Sequence, residues 1–179
     1  MADAGVSSNA DEVRRTLRQL ARMLERPGRV HRRVARAYLA FTKLSFRSGQ
    51  DPFGVPWRPI SNRQGKPLRD TGLLANSITS DGTDDDITLG TNVSYAAAHQ
   101  FGKQGTENVK AHERRITQAF GRRLAQPLTV RVGAHTRQAN LAARPFFPTG
   151  DEIPTTWLEA LEEEYEKELD RIAREGARR

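Results

Sequence analysis

The first apolar pattern in the chain repeats every three or four residues and predicts a helix from about Ala10 to Glu25. Its apolar stripe consists of Val13, Leu17, Leu20 and Leu24. Asn9 followed by Glu12 resembles a capping box, so we expect the helix to begin there. Pro27 and Gly28 then interrupt the helical pattern.

Two further helices follow from the same periodicity. One runs from about Arg29 to Arg47 and stops at Gly49. Its stripe consists of Val30, Val34, Ala37, Phe41 and Leu44. The other lies near the end of the chain, from about Trp157 to Ala173, with a narrow stripe of Leu158, Leu161, Tyr165, Leu169 and Ile172.

The middle of the chain changes to turn and strand signals. Three prolines between Asp51 and Pro59 exclude regular structure there, and we expect Phe53 and Trp57 to anchor this loop to the core. The polar run Ser61–Pro67 predicts a mobile loop. Short β-type runs at 77–79 and 87–89 flank an acidic turn and predict a hairpin, and 95–101 predicts a short helix ended by Gly102.

An internal echo predicts a long β-hairpin arm over residues 105–140. The pattern V-x-A-H-x-R occurs at 109–114 and again at 132–137, and alternating apolar residues follow Leu128. A turn near Arg123-Leu124 would pair His112 with His135, since cross-strand partners lie about 5 Å apart. We expect one apolar side and one basic side. The cations of the arm are candidates to face a partner or DNA: Lys110, Arg114, Arg115, Arg122, Arg123, Arg131 and Arg137.

Charge changes the picture because it is segregated along the chain. The net charge is +7, with arginines crowded into 11–47 and glutamates into 151–175. A basic chain favours contact with nucleic acid or another polyanion. The two ends could attract each other within a subunit or between subunits, or simply be solvated helix faces. No apolar run approaches the roughly 20 residues of a membrane span, so we expect no membrane partner.

Candidate chemistry is sparse. With no cysteine, thiolate metal sites and cysteine nucleophiles are excluded. Asp84-Asp85-Asp86 could hold Mg²⁺ in a nuclease, but turn residues surround it, so we favour a charged turn. A zinc site would need His99 to join His112 and His135, and we favour histidines that pack on a neighbour. We therefore predict no catalytic residue, no metal, no cofactor and no enzymatic activity.

Three blocks carry a resemblance to a known family. Residues 68–78 resemble an L-x-x-T-G-x-L-x-x-S-I block, 90–102 a G-x-x-x-x-Y-A-x-x-H-x-x-G block, and 143–147 an A-R-P-F-[LF] block. Pro52–Trp57 resembles a P-x-G-x-x-W element. In this order the blocks resemble phage virion morphogenesis proteins, a family of tail completion proteins that includes those of Mu-like phages.

The blocks have structural interpretations. Thr71-Gly72 favours a tight turn, and Tyr95, Ala96 and Phe101 a packing face. His99 suits a satisfied buried polar group, and Arg144-Pro145-Phe146-Phe147 a rigid extended segment with two aromatic anchors. The family-motif residues are Thr71, Gly72, Leu73, Tyr95, Ala96, His99, Gly102, Arg144, Pro145 and Phe146.

Pattern and resemblance together predict one α+β domain over residues 1–179. A small antiparallel sheet and short helix (68–102) are flanked by N-terminal helices (10–48) and a C-terminal helix (155–175), and the arm (105–140) projects. The resemblance implies a structural tail completion or head–tail connector (neck) protein in the virion, made in the host cytoplasm. It also implies a homo-oligomeric ring, for which a hexamer is favoured. The ring would dock on connector or adaptor proteins and on tail tube or terminator proteins.

Three rival functions stay open on the sequence. The first is a transient morphogenesis factor that is absent from the mature virion. The second is a protein that binds DNA without sequence specificity, or only contacts packaged DNA. The third is a Mg²⁺-dependent nuclease or other hydrolase built on the acidic turn.

Overall fold

Five helices and three antiparallel strand pairs form the part of the chain that the structure describes. A computed structural model describes residues 4–60, 65–119 and 122–177, so 61–64 of the predicted loop lie outside it. The helices are α1 (Ala4–Glu25), α2 (Gly28–Ser48), α3 (Leu73–Ser77), α4 (Ala96–Phe101) and α5 (Thr155–Ala177). The strands are β1 (Thr79–Gly82), β2 (Ile87–Gly90), β3 (Lys103–Val109), β4 (His112–Ala119), β5 (Arg122–Val132) and β6 (His135–Leu141). The predicted α+β class with small antiparallel sheets is confirmed.

Helix α2 lies at the centre of the core. Its first half buries Val30, Val34 and Tyr38 against Trp157 of α5, and the Tyr38 and Trp157 rings stack with centroids 4.5 Å apart. On another side, β1 approaches α2 so closely that a Cβ on Gly82 would collide with the backbone of His31 and Arg32. The helix is therefore covered by α5 and by the β1–β2 hairpin.

The second half of α2 joins a separate apolar cluster. Phe46 packs against Trp57 and Phe146, with ring centroids 5.5 and 5.4 Å away, and Leu74 and Ile78 complete the buried group. Trp57 anchors the proline-rich loop as predicted. Phe53 is exposed, and that prediction was wrong.

Asp51 explains the outward position of Phe53. Its Oδ1 accepts hydrogen bonds from the backbone amides of Phe53 (2.9 Å) and Val55 (2.8 Å). This local turn is closed by the side chain of Asp51, and Phe53 lies at its tip.

The acidic turn between β1 and β2 has a structural role in this fold. Oδ1 of Asp84 accepts a hydrogen bond from the amide of Gly28 at 2.9 Å, at the start of α2. Oδ1 of Asp86 accepts one from the hydroxyl of Thr83 at 2.7 Å. His31 donates from Nδ1 to the Thr83 carbonyl (2.7 Å), and its Nε2 lies 2.9 Å from the Tyr165 hydroxyl. His31 of α2 thus contacts both the turn and α5.

The predicted arm is present as one long antiparallel hairpin, but its register differs from the prediction. His112 pairs with Val132 and His135 pairs with Val109, so the two histidines are not partners. The pairing is interrupted between these positions, and there His112 and His135 each donate from Nδ1 to the carbonyl two residues earlier, at 3.0 Å. The repeated V-x-A-H sequence therefore forms the same local turn on both strands.

A second irregularity explains why the predicted turn was misplaced. Ile116 pairs with Leu128, but Gln118 pairs with Arg123, so Thr117 faces a longer bulged segment that contains Pro127. The outermost described pair is Ala119 with Arg122, so Arg123 lies within the pairing and the predicted turn near Arg123-Leu124 was wrong. Alternation alone does not reveal such a bulge, because it leaves the partner of each residue undetermined.

Helix α1 packs antiparallel on α5 and begins earlier than the Asn9 signal predicts, at Ala4. The contact is close, since a Cβ on Gly176 would collide with the side chain of Thr16. Met23 of this helix is buried, whereas Val13, Leu17 and Leu24 of the predicted stripe are exposed. None of the helices among the described residues has the length and apolar content of a membrane span.

Candidate functional site

The three motif blocks come together around one open cavity of about 840 Å³. The first block contributes residues 68 and 70–74, the second contributes Tyr95 and His99, and the third contributes Arg144. Arg58 and Pro59 line another side, and the end of β6 closes the wall. Blocks that are separate in the sequence thus form a single concave surface on the body, beside the base of the arm.

The first block builds one wall through a tight turn, as predicted. Gly72 takes a left-handed conformation (φ 79°), which favours glycine, and the hydroxyl of Thr71 accepts a hydrogen bond from the amide of Leu73 at 3.3 Å. The short helix α3 follows, and it buries Leu74 in the core while Leu73 is exposed at the cavity.

The second block forms the predicted packing face only in part. Helix α4 buries Ala96 and Gln100, which lie one turn apart, whereas Tyr95 and Phe101 are exposed. The prediction was right for Ala96 and wrong for the two aromatic residues, because this six-residue helix buries one narrow side only. Tyr95 instead lines the cavity with its ring edge-on to His99, at a centroid distance of 5.7 Å.

Gln100 is a site residue that the sequence analysis missed. Its Oε1 accepts hydrogen bonds from the amides of Phe146 (2.9 Å) and Phe147 (3.1 Å), and its Nε2 donates to the Phe147 carbonyl (2.8 Å). This buried amide therefore fixes the third block on α4. The sequence feature that predicts burial of Gln100 is its position four residues after Ala96, on the same side of the helix.

Arg144 connects the third block to two other segments. It is buried, and it donates from Nε to the Arg58 carbonyl (3.0 Å) and from Nη2 to the Pro59 carbonyl (3.4 Å). Its amide donates to the His99 carbonyl at 2.7 Å. Burial lowers the pKa of Arg144, and the nearby charge of Arg58 lowers it further.

The neighbouring residues of the block hold the core. The carbonyl of Pro145 accepts a hydrogen bond from Nε1 of Trp57 (2.8 Å), and Phe146 is buried, so Phe146 anchors this segment in the core as predicted. Gly102 allows the base of the arm to close, because a Cβ there would lie 2.9 Å from the carbonyl of Leu141.

His99 is not the satisfied polar group that the sequence favours. Its Nδ1 is buried and has no hydrogen-bond partner among the described residues. Burial lowers the pKa of His99, and the charge of Arg144 lowers it further. The lowered pKa favours the neutral imidazole, and its buried Nδ1 is unpaired among the described residues.

The candidate cations of the arm lie on both of its faces. Cross-strand pairing places Arg114 with Val130, beside Ile116 and Leu128, whereas Arg115 and Arg131 lie on the opposite face with Glu113 and Thr129. The predicted division into an apolar and a basic side is thus only partly right. Lys110 lies at the interruption, and Arg122 and Arg123 lie near the tip.

Arg137 differs from the other arm cations because it is paired. It donates from Nε and Nη2 to Oε2 of Glu107 at 3.0 and 2.9 Å, and Lys103 donates to Oε1 at 3.0 Å. Lys103 and then Arg137 hold the pKa of Glu107 below its ordinary value. This cluster links β3 to β6 near the base of the arm.

Comparison with known proteins identifies the class. Residues 8–166 match the phage virion morphogenesis family, so the chain belongs to that family and takes part in phage virion assembly. Among curated proteins it is similar to the Mu-like prophage FluMu G protein 2 of Haemophilus influenzae, with 36% identity over 95 residues. That alignment covers 53% of this chain and 67% of the relative. No solved structure matches the chain.

Proposed function

We propose that this chain is a structural tail completion or head–tail connector protein of a tailed phage. It acts by self-association into a ring and by docking onto connector and tail proteins. Family membership supports the assembly role. The observation that carries the finer assignment is the arm, whose strands pair with each other and pack extensively on no helix among the described residues.

The dimensions of the arm suit a bridge between proteins. Residues 103–119 form one side of the hairpin, and at about 3.3 Å per residue this corresponds to roughly 50 Å. Leu128 and Val130 are exposed on it. A hairpin that extends so far from its core and leaves branched apolar side chains in water is suited to cover, or be covered by, another subunit.

The cavity of the motif blocks offers a second docking surface at the base of the arm. Leu73 and Tyr95 are exposed on its lining, while Arg58 and Arg144 provide positive charge. Apolar walls with a few convergent polar groups are typical of recognition sites. We assign this cavity to a segment of a neighbouring virion protein.

Cryo-EM of purified virions tests this function directly. We expect density for the chain, arm included, at the neck or the tail end, in a copy number that matches a ring. Phage that carry the chain without residues 105–139 should accumulate heads and tails that remain unjoined. Mature virions without any copy of the chain would contradict the proposal and favour a transient morphogenesis factor.

A second candidate function is contact with DNA without sequence specificity. The observation behind it is that six exposed arm cations form no salt bridge in the described part of the chain: Lys110, Arg114, Arg115, Arg122, Arg123 and Arg131, the last of which lies across the strands from Glu113. Cations that neutralise phosphates give an affinity that falls steeply with salt.

Fluorescence anisotropy with duplex DNA at several salt concentrations tests this second function. Replacement of Arg114, Arg115 and Arg131 by glutamine should reduce the salt slope. The matched control replaces Arg32, Arg36 and Lys43, which are exposed cations of α2, and should leave it unchanged. Equal slopes for both triple variants would exclude the arm as the DNA contact.

A further inference from the structure

Helix α1 carries an apolar seam that nothing covers among the described residues. Val13, Leu17 and Leu24 are 51%, 58% and 71% exposed, and half-buried Leu20 completes the series. The spacing of four, three and four residues places these side chains on one stripe, as in the seam of a coiled coil. Thr16 and Met23, which meet α5, lie on an adjacent side of the helix.

The outer edge of α5 carries a series of the same period that one glutamate interrupts. Leu158 and Leu169 are about 40% exposed, and half-buried Tyr165 between them has its hydroxyl 2.9 Å from Nε2 of His31 on α2. Leu158, Glu162, Tyr165 and Leu169 repeat the spacing of four, three and four. Two helices with seams of equal period and length can interlock along about three turns.

The charged residues beside the α1 seam indicate which helix of a neighbouring subunit it can bind. Two arginines of α2 already pair inside the chain: Arg33 with Glu164 (2.7 Å) and Glu168 (3.1 Å), and Arg29 with Glu168 (3.8 Å). In contrast, Arg18 beside the α1 seam has no acidic partner in the described residues, and Arg14 has only the exposed Asp11 at 3.5 Å.

The outer face of α5 carries the complementary charge. Glu162 occupies one position of the α5 series and Glu166 lies beside it, four residues on; Arg14 and Arg18 beside the seam of α1 are also four residues apart. Neither glutamate has a cationic partner within the described ranges. Two α1 helices packed on each other would bring like charges together, whereas α1 on α5 pairs opposite charges.

We propose that the α1 seam of one subunit packs on the outer face of α5 in a second copy of this chain. The two faces are different surfaces of one chain, so the contact is head-to-tail and generates a closed ring or an open array. This inference rests on the ring of the proposed function and names its interface. The intramolecular pairing of α2 with α5 occupies Glu164 and Glu168 and leaves Glu162 and Glu166 on the other side of α5 for the neighbour.

Sedimentation velocity of the full chain tests the seam. We expect the wild-type chain to assemble, and Leu17→Glu to weaken assembly at least about tenfold because it places a charge in an apolar contact. Leu44→Glu is the matched control, since Leu44 on α2 is 57% exposed, and it should assemble normally. Circular dichroism verifies that both variants are folded. Equal assembly of the two variants would overturn the proposal, as would a monomeric wild-type chain.

Charge reversal tests the partner face. Arg14→Glu with Arg18→Glu should dissociate the assembly, and so should Glu162→Arg with Glu166→Arg. An equimolar mixture of the two double variants should assemble again, with the two chains alternating. Retained assembly of the glutamate-to-arginine variant alone would overturn the α5 face and indicate a contact between α1 helices.

The two proposals fail in different ways. A monomeric chain that nevertheless occupies the neck or tail of purified virions overturns this interface and leaves the proposed function intact. A chain that assembles through α1 and α5 but is absent from virions supports the interface and contradicts the proposed location.

Discussion

The body and the arm use the same antiparallel pairing in opposite surroundings. The β1–β2 hairpin of the body lies against α2, whose Val30 and Val34 are fully buried. In the arm, Leu128 is 57% and Val130 is 38% exposed, and no helix of the described chain covers them. Because an isolated two-stranded hairpin is marginal in water, the difference teaches that the body provides stability and the arm is available to partners.

The largest effect should come from the motif residue at the centre of the core. Phe146→Ala removes a buried ring that contacts Phe46 and Phe147. We expect the free energy of unfolding to fall by about 3–5 kcal/mol, as for other buried phenylalanines. Urea denaturation followed by circular dichroism measures it.

Removal of the arm is the matched comparison for this substitution. Replacement of residues 105–139 by a short glycine-serine linker should leave the free energy of unfolding nearly unchanged, because the arm buries little of the body. A loss as large as that of Phe146→Ala would show that body and arm form one cooperative unit.

A smaller effect should come from Glu168, the buried carboxylate between α2 and α5. It accepts hydrogen bonds from Arg171 (2.6 Å) and Arg33 (3.1 Å). Glu168→Gln removes these charge-assisted bonds, and we expect a loss of about 1–3 kcal/mol. Glu166→Gln, on the exposed side of the same helix, is the control and should be nearly neutral at protein concentrations that keep the chain monomeric.

The pH dependence of this loss has a definite sign. Arg171 and then Arg33 hold the pKa of Glu168 below its ordinary value. The stabilisation is therefore complete above the ordinary glutamate pKa and is lost as the pH falls through the lowered pKa. The difference between the wild type and Glu168→Gln should shrink in acid, and a constant difference would contradict the ion-pair explanation.

Helices and hairpins could be predicted from the sequence where the spacing of apolar residues identifies the side of the element that is buried. The first half of the α2 stripe is such a case, since Val30 and Val34 are buried, whereas Leu44 at its end is 57% exposed. The stripe of α1 was recognised equally well, but periodicity does not say what covers it, and most of it is exposed. The local sequence pattern identifies the apolar side of a helix. Whether that side is buried depends on which other element packs against it.

The cavity could not be predicted because it depends on contacts between distant segments. Gln100 bonds to Phe147 across 47 residues, and Arg144 bonds to Arg58 across 86. The motif blocks contain many of the residues that line the cavity. They do not predict that these residues converge, or that Nδ1 of His99 is unpaired. Register in the arm failed for a related reason, since the bulge opposite Thr117 has no signature in the alternation.

His99 provides a weaker, pH-dependent test of the body. Burial and then Arg144 lower the pKa of His99 in the folded chain. The unfolded chain therefore takes up the proton first, and stability present above the ordinary histidine pKa is lost as the pH falls through the lowered pKa. We expect the melting temperature to decrease between about pH 7 and pH 5. His99→Gln should flatten this slope and His112→Gln, on the arm, should not; identical slopes would show that the proton is taken up elsewhere.

The smallest effect should be confined to the arm. Glu107→Gln weakens the bonds from Lys103 and Arg137 that link β3 to β6. Exposed ion pairs contribute little to global stability, so the unfolding midpoint should not move. Amide hydrogen exchange should instead accelerate in β3 and β6 and remain slow in α2, because local opening of the arm does not require the body to unfold. Faster exchange in α2 as well would show that the arm stabilises the core. That result would contradict the separation between a stable body and an independent arm.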